Sequence, residues 1–302
     1  MDFYENRGLA YILLISVFLC AADSLAQSVP NTQLYLFDYD LSPEGTFILS
    51  DPVWFSSFNP DGYNNQPYYA NGWWYFSARL ADSFQNDIYA GHMDSGQLRQ
   101  ITATRDSEYS PTPIGPNELS VVRVEQDSSQ RLWSYHLGDN WKRKVLFPNI
   151  GNVGYHKWAD DSTAYMFLVS DPVSLQKASL AGGLPRFLTS RIGRCMFLDP
   201  NGTLYFTQRM SSSNPWQLKS WVPGDSRPRS IVPCPPEGVD FVLLDRGYLL
   251  MSSQQKFFLL NLKNRDAGWR EVMDFSIYGW PKVTRMAIND EGEMMVVVNY
   301  SD

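Results

Sequence analysis

Cysteine is nearly absent: the 302 residues contain three, and one of these, Cys20, sits in an uncharged N-terminal run. Cys195 and Cys234 are too few for a disulfide framework or a thiolate zinc site. In an oxidising compartment they could pair, or they could stay as two separate half-buried thiols. Histidine is as scarce, with only His92, His136 and His156. No G-x-S-x-G elbow, H-E-x-x-H helix or phosphate-binding glycine loop occurs, so nucleophilic catalysis has little material to work with. Charged residues are thin at 19%, and Lys+Arg 25 against Asp+Glu 32 gives a net charge of -7. An acidic chain without a basic run argues against nucleic acid or an anionic membrane as partner. No segment holds a helical apolar period for three turns, and one run alone is apolar enough to concern a membrane.

That run is Gly8 to Ala22, G-L-A-Y-I-L-L-I-S-V-F-L-C-A-A. As a helix it would reach roughly 22 Å, short of the ~30 Å hydrocarbon core. Ser24 and Ala26 follow as small residues on either side of Leu25, which suits signal-peptide cleavage before Gln27. The leading region carries Asp2, Glu5 and Arg7 and is not basic, so a retained anchor is the alternative. Cys20 follows Leu19, where a lipoprotein signal has a small residue, so lipidation is not expected. The division is therefore residues 1–26 as signal peptide and 27–302 as one folded domain. The expected location is periplasmic or extracellular, with no integral membrane segment after processing.

What is abundant is apolar and aromatic surface, at 44% hydrophobic and 15% aromatic residues. Short runs of Val, Ile, Leu, Phe, Tyr and Trp are cut by Gly, Pro, Asn and Asp every eight to twelve residues or so, the pattern of an all-β fold. A unit recurs. A polar residue leads into a short apolar strand, a turn that is often Asx-Gly, and a second apolar strand. It starts at Gln66 (Q-P-Y-Y-A-N-G-W-W-Y-F), Glu108, His156 (H-K-W-A-D-D-S-T-A-Y-M-F), Arg194, Asp240 and Arg285, at intervals of 42, 48, 38, 46 and 45 residues. An Asx-Gly corner between apolar runs signals a hairpin. A third run follows each of the first five, at Asp87, Arg131, Leu175, Gln217 and Phe257. A fourth follows in turn, as in L-R-Q-I-T-A-T and P-R-F-L-T-S. Four strands per unit of about 40–45 residues is the β-propeller repeat. The C-terminus supplies only two strands, and the N-terminus supplies the missing two from Gln33 and Gly45. The expectation is a six-bladed β-propeller closed by N-terminal strands pairing with C-terminal strands, which leaves no exposed edge.

The units S-P-T-P-I-G-P-N-E-L-S-V-V-R-V-E (from Ser110) and A-I-N-D-E-G-E-M-M-V-V-V (from Ala287) resemble the WD-like repeats of TolB-type six-bladed propellers, where S-P-D-G precedes an apolar strand. D-I-Y…S-G from Asp87 is similar to their third strand. The resemblance covers most of residues 33–302. It does not extend to the α/β domain that precedes the propeller in TolB itself, or to the hydrolase domain of peptidases with similar propellers. It implies fold strongly and function weakly.

In a propeller the first strand of each unit lines the central channel. The aligned polar positions there are Gln66, Glu108, His156, Arg194, Asp240 and Arg285, with an alignment error of about one residue. Facing inward, they would form a ligand-binding ring at one channel mouth, with Tyr68, Tyr109 and Tyr155 beside it. The plainer reading is a set of ion pairs and hydrogen bonds that satisfy a narrow pore. Glu108, His156 and Asp240 are metal-ligand types, but two arginines in the ring would repel a cation, so no metal or other cofactor is expected. Ser107 and Ser110 lie near His156 in ring order and are the weak candidates for a Ser–His pair. Arg79 and Arg123 end neighbouring second strands, either to recognise a carboxylate or phosphate or to pair with Asp82 or Glu125. Trp73, Trp74 and Tyr75 are expected to pack between sheets.

Two functions follow. The first is a monomeric binding or scaffold module for a protein or small-molecule partner at the channel mouth, with no catalytic residues. The second is a small channel-mouth enzyme of metal-dependent lactonase, hydrolase or lyase type. On the first reading, Glu108→Ala and Arg194→Ala change ligand binding and leave the melting point nearly intact.

Overall fold

The computed structural model describes residues 29–138 and 142–300. The expected signal segment, residues 1–26, lies outside them. The described chain is built from strands and three short 3-10 turns, and no helix in it is long and apolar enough to cross a membrane.

The chain opens with β1 (Thr32–Leu41), β2 (Phe47–Leu49) and β3 (Val53–Trp54). Four strands follow: β4 (Tyr63–Ala70), β5 (Trp73–Arg79), β6 (Asp87–His92) and β7 (Gln97–Gln100). The next sheet holds β8 (Ser107–Ile114), β9 (Glu118–Val124), β10 (Gln130–His136) and β11 (Arg143–Val145). Then come β12 (Val153–Trp158), β13 (Thr163–Leu168), β14 (Ser174–Ser179) and β15 (Arg186–Ser190). A fourth group is β16 (Ile192–Leu198), β17 (Leu204–Gln208), β18 (Gln217–Trp221) and β19 (Arg229–Pro233). A fifth is β20 (Asp240–Leu243), β21 (Tyr248–Ser253), β22 (Lys256–Asn261) and β23 (Arg270–Asp274). The described chain ends on β24 (Val283–Ile288) and β25 (Glu293–Asn299). Every repeat strand read from the sequence corresponds to one of these elements.

Within each group, consecutive strands pair antiparallel. β1 pairs antiparallel with β25 over seven positions, from Thr32 opposite Asn299 to Asp38 opposite Glu293. β2 and β3 add to the other side of β1. One parallel bridge, Thr32 to Tyr63, joins this sheet to β4. The bridge is reinforced where the Asn64 amide donates to Thr32 Oγ1 at 3.1 Å.

The second strands show why the sequence reads as unbroken apolar runs. Met294, Val296 and Val298 of β25 face one cluster, with Phe257, Phe275 and Trp280. The alternate residues Met295 and Val297 face another, with Leu34, Trp74 and Phe76. Successive strand side chains point to opposite faces, so a strand buried on both sides must be apolar at every position. The same division recurs along the chain: Val122 and Leu119 belong to different clusters, as do Leu250 and Leu249. Each cluster lies between two sheets. The first strands touch in sequence, β4 to β8, β8 to β12, β12 to β16, β16 to β20 and β20 to β24, and β24 in turn touches β4.

The hairpins follow turn chemistry. Asn71 and Gly72 connect β4 to β5 with φ of 52° and 81°. Two successive positive φ values make the two-residue turn that matches strand twist, and Asn-Gly is the pair that adopts it most readily.

Cys195 and Cys234 are both free thiols. Cys195 Sγ is engaged with the Phe241 carbonyl at 3.1 Å instead. Burial pushes its thiol up to about 12.

Candidate functional site

Five of the six first strands share an irregularity, and it falls at Gln66, Ser110, Arg194 and Arg285, while His156 and Asp240 stay in register. The ladder slips between Asn65 and Tyr68 in β4, Tyr109 and Thr112 in β8, Val153 and Tyr155 in β12, Ile192 and Met196 in β16, and Thr284 and Met286 in β24. A bulge leaves residues unpaired and re-aims their side chains. Gln66, Ser110 and Arg285 occupy these bulges with φ of 58°, 53° and 23°. These are strained values for residues with a Cβ, and such strain persists where the surrounding structure holds it.

The bulges converge on one cavity. Its narrow part, about 140 Å³, is lined by Gln66, Tyr68, Ser110, Tyr155, His156, Arg194, Asp240 and Arg285 among others. Five of the six residues picked from the sequence therefore meet there, from five separate first strands. A wide part of about 1010 Å³ adjoins it, sharing Tyr68, Thr112, His156 and Met286, and follows the C-terminal ends of the same strands.

Glu108 is not part of this lining. The residue that stands with Gln66 is Ser110, whose N–H donates to Gln66 Oε1 at 2.8 Å. The signal was the X-Pro step: Gln66-Pro67 and Ser110-Pro111 are equivalent, and counting from Glu108 misses it by two residues. Glu108 is instead fully buried. Its carboxylate accepts from Thr102 Oγ1 at 3.2 Å, from Tyr135 Oη at 3.1 Å and from Thr104 Oγ1 at 2.5 Å. Burial raises Glu108 to about 7. Arg123 lies 3.9 Å from it and pairs with Asp106, donating from Nε to Oδ2 at 2.6 Å. Glu125, one expected partner of Arg123, is taken by Arg131 and Trp133.

Within the cavity, Arg194 Nε donates to Asp240 Oδ1 at 2.9 Å and Nη2 donates to Oδ2, a bidentate pair. Burial opposes both charges. The mutual attraction outweighs it, holding the Asp240 carboxyl below the usual range and the Arg194 guanidinium above it. Arg285 Nη2 donates to Tyr155 Oη at 2.6 Å, with the guanidinium over the Tyr155 ring. Lys157 Nζ donates to Tyr68 Oη at 3.4 Å and lies over the same ring. His156 Nε2 is 2.6 Å from Ser120 Oγ, which also accepts from Trp158 Nε1 at 2.8 Å. Ser120, Lys157 and Trp158 were not singled out in the sequence. Ser120 lies on a second strand, and its meeting with β12 is a contact between sheets. Among the described residues, no three His, Cys, Asp or Glu side chains converge as a metal site.

Neither a protein-family model nor a curated protein sequence matches the chain. Solved structures do. A putative TolB from Agrobacterium tumefaciens is similar over 91% of this chain and all of its own, at 10% identity and TM-score 0.65. A chain of a nidogen/laminin complex is similar over 90% of this chain and all of its own, at 11% identity and TM-score 0.62. XC5397, a gluconolactonase from Xanthomonas campestris, is similar over 79% of this chain and 86% of its own, at 9% identity and TM-score 0.57. At these identities the likeness is one of fold: the chain has the TolB-like β-propeller fold, with sheets of four antiparallel strands.

Proposed function

On the premise of a TolB-like β-propeller fold, we propose that this chain is a secreted or periplasmic binding module that holds a protein or small-ligand partner at the mouth of a central channel. The propeller has six blades and is closed by β1 pairing with β25. The cyclic contacts of the six first strands support that count, and the seven-position register of the terminal strands supports the closure. The uncharged Gly8–Ala22 run with Ser24 and Ala26 behind it supports export.

The observation that carries the binding role is the convergence of Gln66, His156, Arg194, Asp240 and Arg285 on one cavity from five strands, two of them through strained bulges. Convergent polar groups in a concavity are how proteins orient a ligand. Glu108 takes no part in this role. The test is a thermal-shift panel of small carboxylates, amines and neutral sugars against the protein and its Gln66→Ala and Arg285→Gln variants. At least one class raises the melting point, and the variants remove that shift while melting unliganded as the parent does. No shift with any class, or a shift indifferent to both variants, overturns the reading.

A second reading, a small channel-mouth enzyme, draws on the fold shared with a gluconolactonase. A stoichiometric cation in the purified protein, or a melting shift with Ca2+, Mg2+ or Zn2+, favours the enzyme over the module.

A further inference from the structure

Two buried polar atoms of the cavity lining lack a partner, Ser110 Oγ and His156 Nδ1, and the second is an acceptor whose state can be worked out. Ser120 Oγ has a single proton and donates it to the Thr112 carbonyl at 2.7 Å, a group that can only accept. Trp158 Nε1 already donates to the same oxygen. His156 Nε2 must therefore carry its own proton and donate to Ser120 as well. Burial, with Lys157 adding to it, pushes the imidazole down to about 3, so the ring stays neutral and Nδ1 keeps its lone pair. That nitrogen is buried without a partner, in a residue only 7% exposed that lines both parts of the cavity. A buried acceptor without a donor is costly, so Nδ1 calls for an N–H or O–H.

The charges around it are segregated. Asp240 is held by the Arg194 side chain and also accepts from the Arg285 backbone N–H, while the side-chain hydrogen bonds of Arg285 and Lys157 go to the phenols of Tyr155 and Tyr68. The narrow part and its junction with the wide part are thus basic. The wide part carries Asp40, Asp199, Asp245, Asp290 and Glu291 against Arg246 and, beside His156, Lys157. A simple anion would suit the first and be repelled by the second.

We propose that the cavity takes a carboxylate with an N–H donor beside it and a cationic extension. The carboxylate meets Arg285 and Lys157, the N–H meets His156 Nδ1, and the cation lies among the carboxylates of the wide part. This rests on the binding role above and names its ligand class. A free acylated basic amino acid and the C-terminal residue of a peptide ending in Lys or Arg share this chemistry, and a volume of about 1010 Å³ has room for preceding residues.

Calorimetry at low salt with Nα-acetyl-lysine, its amide, Nα-acetyl-norleucine and acetyl-Gly-Gly-Gly-Lys tests it. Nα-acetyl-lysine binds saturably, and amidation weakens it at least tenfold. Norleucine weakens it about threefold, a gap that closes at high salt. Tighter binding of the tetrapeptide assigns a peptide terminus as the source, and equal binding assigns a free small molecule. His156→Gln keeps a donor within reach of Ser120 but has no acceptor in place of Nδ1. It lowers affinity about tenfold with an unchanged melting point. The ¹⁵N resonance of His156 Nδ1 shifts on titration with Nα-acetyl-lysine. Equal affinity of acid and amide, or no heat and no Nδ1 shift with any of the four, overturns the proposal. The binding-module reading survives that outcome if another class in the thermal-shift panel binds, and falls with it if none does.

Discussion

Arg194 of β16 and Asp240 of β20 face each other across two sheets, Nε 2.9 Å from Oδ1 and Nη2 on Oδ2. The arginine side chain is 34% exposed and the aspartate 6%. The pair therefore ties neighbouring sheets together and forms part of the cavity wall, so a substitution here disturbs stability as well as binding. Removing one partner of a buried ion pair strands the other charge. Arg194→Met is expected to cost about 3 kcal/mol in urea denaturation, and Arg194→Met with Asp240→Leu to recover most of that loss. This departs from the expectation that Arg194→Ala would leave the melting point alone. An unchanged urea midpoint in Arg194→Met would show that the pair is not structural.

Glu108 gives a pH prediction with a definite sign. Its folded value is raised from the usual 4.5 to about 7 because burial disfavours the carboxylate. Between those values the folded state binds more protons than the unfolded one, so stability falls as pH rises through the window and is fully present below it. Urea midpoints measured from pH 4.5 to 8 should decline over that range in the parent. Glu108→Gln, which cannot ionise, should flatten the decline. Equal slopes in parent and variant would mean that Glu108 titrates normally.

The Ser120 hub gives a third prediction. Ser120→Ala leaves the Trp158 and His156 N–H groups without their shared acceptor, at a cost of about 2 kcal/mol. The His156 tautomer then loses its anchor. Long-range ¹H–¹⁵N correlation should show Nε2 protonated and Nδ1 bare in the parent, with mixed tautomers in Ser120→Ala. An Nδ1-protonated parent contradicts the hydrogen-bond assignment.

Closure by the terminal strands is tested at Leu34, fully buried and opposite Val297. Leu34→Ala opens a cavity between two sheets and is expected to cost about 3 kcal/mol. Deleting residues 293–300 exposes the edge of β1 and should yield an aggregating protein. A soluble, cooperatively melting deletion variant would contradict the closure.

How much was legible beforehand varied with the range of the interaction. The repeat strands were readable because each is written locally. In β25, Met294 to Val298 is apolar at every position since both faces are covered, and Asn71-Gly72 encodes its own turn. The spacing of these units carried the four-stranded sheets. Five of the six positions picked from the repeat line the cavity because they occupy the same place in it. Glu108 was misplaced relative to the cavity because a bulge shifts register by residues that no hydrophobic period records, and the X-Pro step at Ser110-Pro111 was the sole local trace of it.

The sequence alone determined the all-β character and the repeat, since backbone periodicity and turn residues act over a few neighbouring positions. Only the tertiary structure decided that Arg194 holds Asp240, that Ser120 fixes the tautomer of His156, and that Arg285 and Lys157 have phenol partners. Those pairings join residues 36 to 130 positions apart through contacts between sheets, and whether a polar group is satisfied depends on what packing brings beside it.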